Sequence, residues 1–171
     1  RMKYGLFTVS SPTLTLEEIA PKIQELGYDG WELRVVDEPP NPKGMEFWHG
    51  NKATVPVSTF KDNIERIRKL GEAHNLELFN LGTYVRSNDD WAVENAVAIG
   101  APSLRINVPQ YSSDQAFKPI WDKTREDYKR IEELAAKNNV RALIETHHGT
   151  ICPSASSVRM MVDGLDPKHV G

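Results

Sequence analysis

Apolar positions along the chain switch repeatedly between short continuous runs and stripes of 3.6-residue period, the pattern of strand followed by helix. Lys3–Val9 is short, apolar and β-prone, and Thr13–Gly27 follows it with Ile19, Ile23 and Leu26 on one helical face. Thr15 and Glu18 have capping-box spacing at the start of that helix, and Gly27 stands where it should end. Pro21 lies deep in the segment, so a kink or a later start is expected. Tyr28–Val36 reads as the second strand. Ser58–Asn75 is a clear amphipathic helix with Phe60, Ile64, Ile67 and Leu70 on one stripe. Leu76–Leu81, Ser103–Val108 and Val140–Thr146 read as further strands. Ser87–Gly100, a long helix carrying Phe117, Trp121, Thr124, Tyr128, Ile131 and Ala135 as its core stripe, and Ala155–Asp163 supply the remaining helices.

Strands begin near positions 3, 28, 76, 103 and 140, and a sixth would begin near 168. The mean step is about 33 residues, the size of one βα unit. With no hairpin signal between strands, this alternation predicts a parallel α/β sheet. Two architectures fit: a (β/α)8 TIM barrel and an open parallel α/β sheet. No strand–helix turn carries the Gly-rich loop that cradles phosphates, which removes the best support for a nucleotide-binding open sheet. A complete barrel takes about 250 residues. The expectation is therefore a single, incomplete TIM-barrel domain over 1–171, truncated after about five βα units. Its first strand and the strand at 140–146 would be open edges, and the chain would form a homo-oligomer through them, aggregate, or need further polypeptide to cover them. The connection Asp37–Val57 carries Pro39, Pro40, Pro42, Phe47, Trp48, His49 and Pro56. Connections of that length inside a domain are lids or disordered segments, and a lid over the C-terminal strand ends is expected here.

Charge narrows the partners. Lys and Arg number 21 against 24 Asp and Glu, a formal net charge of −3 with both signs mixed along the chain. That argues against a nucleic-acid partner bound by phosphate neutralisation. A lone cysteine, Cys152, cannot close an internal disulfide, and no apolar run reaches a membrane span, so a cytoplasmic domain with no membrane partner is expected.

Ligands of parallel α/β proteins bind at the C-terminal ends of the strands. Those ends carry Glu32 and Arg34, then Asn80 and Tyr84, then Arg105 and Asn107, and finally Glu145-Thr146-His147-His148-Gly149-Thr150. Strand alternation puts Glu145 and His147 on one face. A carboxylate beside imidazoles suits a divalent metal. Glu145 ends the apolar strand Ala142-Leu143-Ile144, where an unpaired charge is costly and a metal or cation would offset it. Plainer roles stand beside these. His147 and His148 could each hydrogen-bond a loop carbonyl. Glu32 could pair with Arg34 or Arg105, and Arg105 could either bind an anion or pair with Glu32 or Glu145. His74, in the last turn of a helix, suits the dipole there.

Met2-Lys3-Tyr4-Gly5-Leu6-Phe7, Gly27-Tyr28-Asp29-Gly30-Trp31-Glu32-Leu33-Arg34 and Leu143-Ile144-Glu145-Thr146-His147-His148-Gly149-Thr150 resemble the sugar phosphate isomerase/epimerase family. Its members share the xylose isomerase-like TIM barrel, and the likeness covers the N-terminal two-thirds of a member. The resemblance implies a divalent metal (Mn, Mg, Co or Zn) held by a Glu on strand five, an Asp on strand six, a His on strand seven and a Glu on strand eight. Only the first maps here, onto Glu145. In the epimerases the two glutamates also move a proton next to a metal-polarised carbonyl, so Glu145 would be both a metal ligand and half of the catalytic pair. By position, Glu32 and His147 resemble substrate-hydroxyl or metal-water contacts, and a small sugar or sugar phosphate is the implied substrate. The metal is expected only if strands six to eight are present. The alternatives are a non-catalytic fragment of the barrel, or a dehydratase or endonuclease of the same superfamily. An endonuclease would need several His ligands, and Asn80-Leu81-Gly82-Thr83 has none.

Overall fold

The computed structural model describes residues 1–37, 49–86 and 89–171. They form two compact units, residues 1–83 with 98–102 and residues 84–97 with 103–171. The chain passes from one to the other inside a strand and inside a helix.

The first unit contains β1 (Gly5–Phe7), α1 (Leu16–Glu25), β2 (Gly30–Val35), β3 (Thr54–Val55), α2 (Phe60–Ala73) and most of β4 (Glu77–Val85). α1 begins where the sequence places its cap. Thr15 Oγ1 accepts from Glu18 N at 3.3 Å, and the Glu18 carboxylate accepts from Thr15 N at 2.8 Å. These bonds hold the Glu18 carboxyl below the usual range. Pro21 sits inside α1, which nonetheless starts at Leu16, so the alternative of a later start is not realised. A Schellman motif ends the helix: Tyr28 N donates to Ile23 O at 3.1 Å and Gly27 N to Gln24 O at 3.0 Å. Gly27 takes φ 78°, a conformation that disfavours any side chain.

All strand pairs in this unit are parallel. β1 pairs with β2 over Gly30–Glu32, and β4 pairs with β2 over Gly30–Arg34. β3 pairs with Arg34 and Val35, taking the side of β2 that β1 leaves. The sequence reading has no strand in 37–57; β3 is two residues long, too short to show a period. Around it, Asn51 Nδ2 donates to Val9 O at 2.8 Å and Lys52 N to Pro12 O at 2.9 Å. Residues 38–48, with most of the expected lid, lie outside the described residues. Trp31, Leu33, Phe60 and Ile67 are buried together with the inner face of α1. Gly82 is required by close packing: a Cβ there would lie 2.6 Å from the Phe7 ring and 3.0 Å from Glu32 Oε1.

The second unit contains the end of β4, most of α3 (Asp90–Ile99), β5 (Ser103–Ile106), α4 (Phe117–Asn138), β6 (Arg141–Ile144) and α5 (Ala155–Met161). β5 and β6 pair in parallel from Ser103↔Arg141 to Ile106↔Ile144. The α4 stripe is only partly core. Thr124, Tyr128, Ile131 and Ala135 are buried, whereas Phe117 is exposed and Trp121 half-buried. The buried Tyr128 hydroxyl donates to Asn107 O at 2.8 Å, and loss of water pushes its phenol well above the ordinary value.

β6 is not the open edge that the sequence reading expects. Ala142 forms a parallel bridge with Val170. Ala142 N donates to His169 O at 2.7 Å, Gly171 N to Ala142 O at 3.0 Å and Ile144 N to Gly171 O at 2.8 Å. The sixth strand predicted near 168 thus starts along β6, and its backbone satisfies that side of the strand.

Candidate functional site

In the second unit, β5 and β6 set the chemistry. Arg105 projects from β5, and Glu145 follows the last residue of β6. Both the Arg105 side chain (8% exposed) and the Glu145 side chain (53% exposed) take part in a short ion pair, Nη1 to Oε2. The Arg105 guanidinium carbon also lies 4.5 Å from the centre of the Tyr84 ring, where the negative π-face attracts a cation. Arg105 thus makes the pair with Glu145 that the sequence offered as one of its roles. The charge that the apolar strand end would leave costly is met by a guanidinium.

The loop after β6 is pinned by its own backbone. Thr150 Oγ1 donates to His147 O at 2.7 Å, and His147 N donates to Cys152 O at 3.3 Å. Gln110 and Thr150 form an antiparallel bridge, flanked by Tyr111 N to Gly149 O at 2.8 Å and Ile151 N to Pro109 O at 3.0 Å. His147 Nδ1 donates to His148 O at 2.6 Å, and the two imidazoles stack with centres 4.2 Å apart. His147 therefore does make the loop-carbonyl bond, which leaves Nε2 as the nitrogen available to a ligand. Cys152 is buried, and burial pushes its thiol up to about 11, so it is no nucleophile.

These residues enclose a cavity of about 400 Å³ whose wall includes Glu145, His147, Arg105, Tyr84, Arg86, Asn107 and Gln110. That volume lies in the range of small-molecule sites. Three of the four residues predicted to act, Glu145, His147 and Arg105, line it. Arg86 and Gln110 escape the sequence reading. Arg86 had a signal, since it lies just past a strand's C-terminal end. Gln110 had none, because only the bridge to Thr150 brings it there.

Glu32 stands in the first unit, on β2. Asn80 Nδ2 donates to Glu32 Oε1 at 3.1 Å, with Gly82 against the same carboxylate. Arg34 donates from Nη1 to Thr54 Oγ1 at 2.8 Å.

Among the described residues, no three His, Cys, Asp or Glu side chains converge to hold a metal ion. Glu145 is paired with Arg105, and His147 has one nitrogen to offer. The donors present do not by themselves make up a divalent-metal site.

The family model of the xylose isomerase-like TIM barrel matches residues 20–171. The chain belongs to that family. Parallel β/α pairing in both units is what the family's barrel requires. No curated protein matches in sequence. Three solved structures share the fold of this xylose isomerase-like chain. The 3-keto-D-glucoside 4-epimerase of E. coli is 14% identical, with a TM-score of 0.71 over 99% of this chain and 66% of its own. The IolI protein with a binding zinc atom is 13% identical, with a TM-score of 0.69 over 99% and 61%. A D-psicose 3-epimerase, solved in the presence of D-fructose, is also 13% identical, with a TM-score of 0.69 over 99% and 62%. The xylose isomerase-like chain thus spans about 61–66% of the length of these structures. Among its described residues, no helix is long and apolar enough to cross a membrane.

Proposed function

We propose that the chain is part of a sugar or sugar-phosphate isomerase or epimerase in which Glu145 moves a proton at the carbon next to a carbonyl. One observation carries the reading: Glu145 lies in a cavity wall with half of its side chain open, its carboxylate fixed by a buried guanidinium. A carbon acid beside a carbonyl needs an anionic base held at a set position. The ion pair limits the rotation of the carboxylate. Two neighbours in fold, the 3-keto-D-glucoside 4-epimerase and the D-psicose 3-epimerase solved with D-fructose, support the substrate class.

In this reading His147 Nε2 and Arg105 contact substrate oxygens. The IolI structure, which shares this fold, holds a zinc atom. A divalent ion here would need ligands beyond those the described residues bring together. A cytoplasmic setting with a small-molecule partner and no nucleic acid belongs to the same reading; the net charge of −3 supports it.

The test is product analysis. The protein is incubated with a panel of ketohexoses, their phosphates and 3-keto-glucosides, and epimers and isomers are separated chromatographically. An epimer or isomer of one member is expected, with Glu145→Gln slowing its formation by about 10²-fold or more. Loss of water instead of epimerisation would assign the protein to the dehydratases, which begin with the same proton removal. No product from any member, or unchanged rates in Glu145→Gln, would overturn the proposal.

A further inference from the structure

We propose that the ligand of the Glu145 cavity carries an anionic group, a phosphate monoester or a carboxylate, and that Arg86 binds it. The inference rests on that cavity being the substrate site, and it narrows the substrate to the charged members of the sugar class. Three charged side chains line the cavity: Arg86, Arg105 and Glu145. Arg105 and Glu145 neutralise each other, and Arg105 is further engaged by the Tyr84 ring. Arg86 is the surplus positive charge. Its backbone N–H donates to Asp89 Oδ2 at 2.8 Å, which anchors the main chain just beyond β4. Among the described residues its guanidinium makes no hydrogen bond or ion pair. A small, walled cavity with one unbalanced cation concentrates anions.

The chemistry matches the geometry. A guanidinium presents a planar fork of N–H donors that two oxygens of a phosphate or carboxylate accept together. Asn107 and Gln110 line the same cavity, and an amide side chain can donate to a third oxygen or to sugar hydroxyls. A neutral sugar would leave the Arg86 charge unmatched. It would then gain nothing from the strongest donor group in the site.

Calorimetric titration with four probes tests this: inorganic phosphate, D-fructose 6-phosphate, D-gluconate and D-fructose. The wild-type chain is expected to bind D-fructose 6-phosphate or D-gluconate at least about ten-fold more tightly than D-fructose. Whichever is preferred identifies the anion as phosphate or carboxylate. The preference should shrink as salt rises. Arg86→Gln should bring the anionic probe to within about two-fold of D-fructose, while Arg86→Lys should keep part of the preference. Binding of inorganic phosphate that Arg86→Gln abolishes supports the anion site even if no sugar is turned over, so failure of the epimerase reading stays distinct. Equal binding of charged and neutral probes, a preference that survives Arg86→Gln, or no anion binding at all would overturn it. Arg86 is exposed, so Arg86→Gln is expected to fold, and an unchanged melting temperature checks that.

Discussion

The Arg105–Glu145 pair can be measured without any substrate. Its energy follows from where the two groups sit. Exposed ion pairs contribute about 0.2–1 kcal/mol, and breaking a buried one costs about 3–5 kcal/mol. Here the guanidinium is 8% exposed and the carboxylate 53% exposed, so water reaches one partner and not the other. The coupling should therefore fall between the two classes, at about 1–2 kcal/mol. A double-mutant cycle of Arg105→Met and Glu145→Gln, read by urea unfolding, measures it. Met keeps the apolar stem packed and Gln keeps the shape, so the cycle reports the charge interaction. For a chain of this length, 1 kcal/mol moves the melting temperature by about 2–4 °C, so Glu145→Gln should melt about 2–8 °C lower. Because one partner is buried, the coupling should largely survive a rise to 0.5 M salt. A coupling below about 0.3 kcal/mol would refute the pairing, and with it the claim that Arg105 positions the carboxylate.

Three further outcomes follow from the same geometry. The Asp29 carboxylate accepts from Tyr4 N at 2.9 Å and pairs with Arg1, which holds it below the usual Asp value of about 3.9. Its contribution is present above that value and lost as pH falls through the lowered one, so the gap between wild type and Asp29→Asn in urea melts should be constant at neutral pH and close in acid; a gap that widens in acid contradicts this. Gly82→Ala should destabilise by about 1–3 kcal/mol through contact with the Phe7 ring, and a melt equal to wild type would show that the packing gives way. Cys152 should resist a thiol reagent at pH 8 in the native state and react fully in denaturant, and rapid native labelling would refute its burial.

Local rules written in the sequence carried most of the fold. Thr15 and Glu18 marked the start of α1, Gly27 its end, and the Phe60–Ile67 stripe the buried face of α2, because caps and periodicity act within a few residues. The parts that were not legible depend on contacts between distant segments. β3 owes its two residues to the side of β2 that β1 vacates, and the edge of β6 is closed by residues 169–171. At the site, Glu145 stood out as a charge closing an apolar strand, and alternation brought His147 with it. That Arg105 would pair with Glu145 depends on which strand ends meet, and nothing around position 105 encodes it. Tyr84 was visible as a polar ring at a strand end, but its place beneath the Arg105 guanidinium was not.

The most direct test of the central claim, that Glu145 moves a proton at a carbon beside a carbonyl, is hydrogen exchange with solvent. The protein is incubated in D2O with whichever ketose or keto-glucoside it binds, and loss of the proton signal at the carbon next to the carbonyl is followed by NMR. Exchange at that one carbon is expected in the wild type, slowed by about 10²-fold or more in Glu145→Gln with ligand affinity retained. Exchange at an undiminished rate in Glu145→Gln, or bound ligand with no exchange in the wild type, would contradict it.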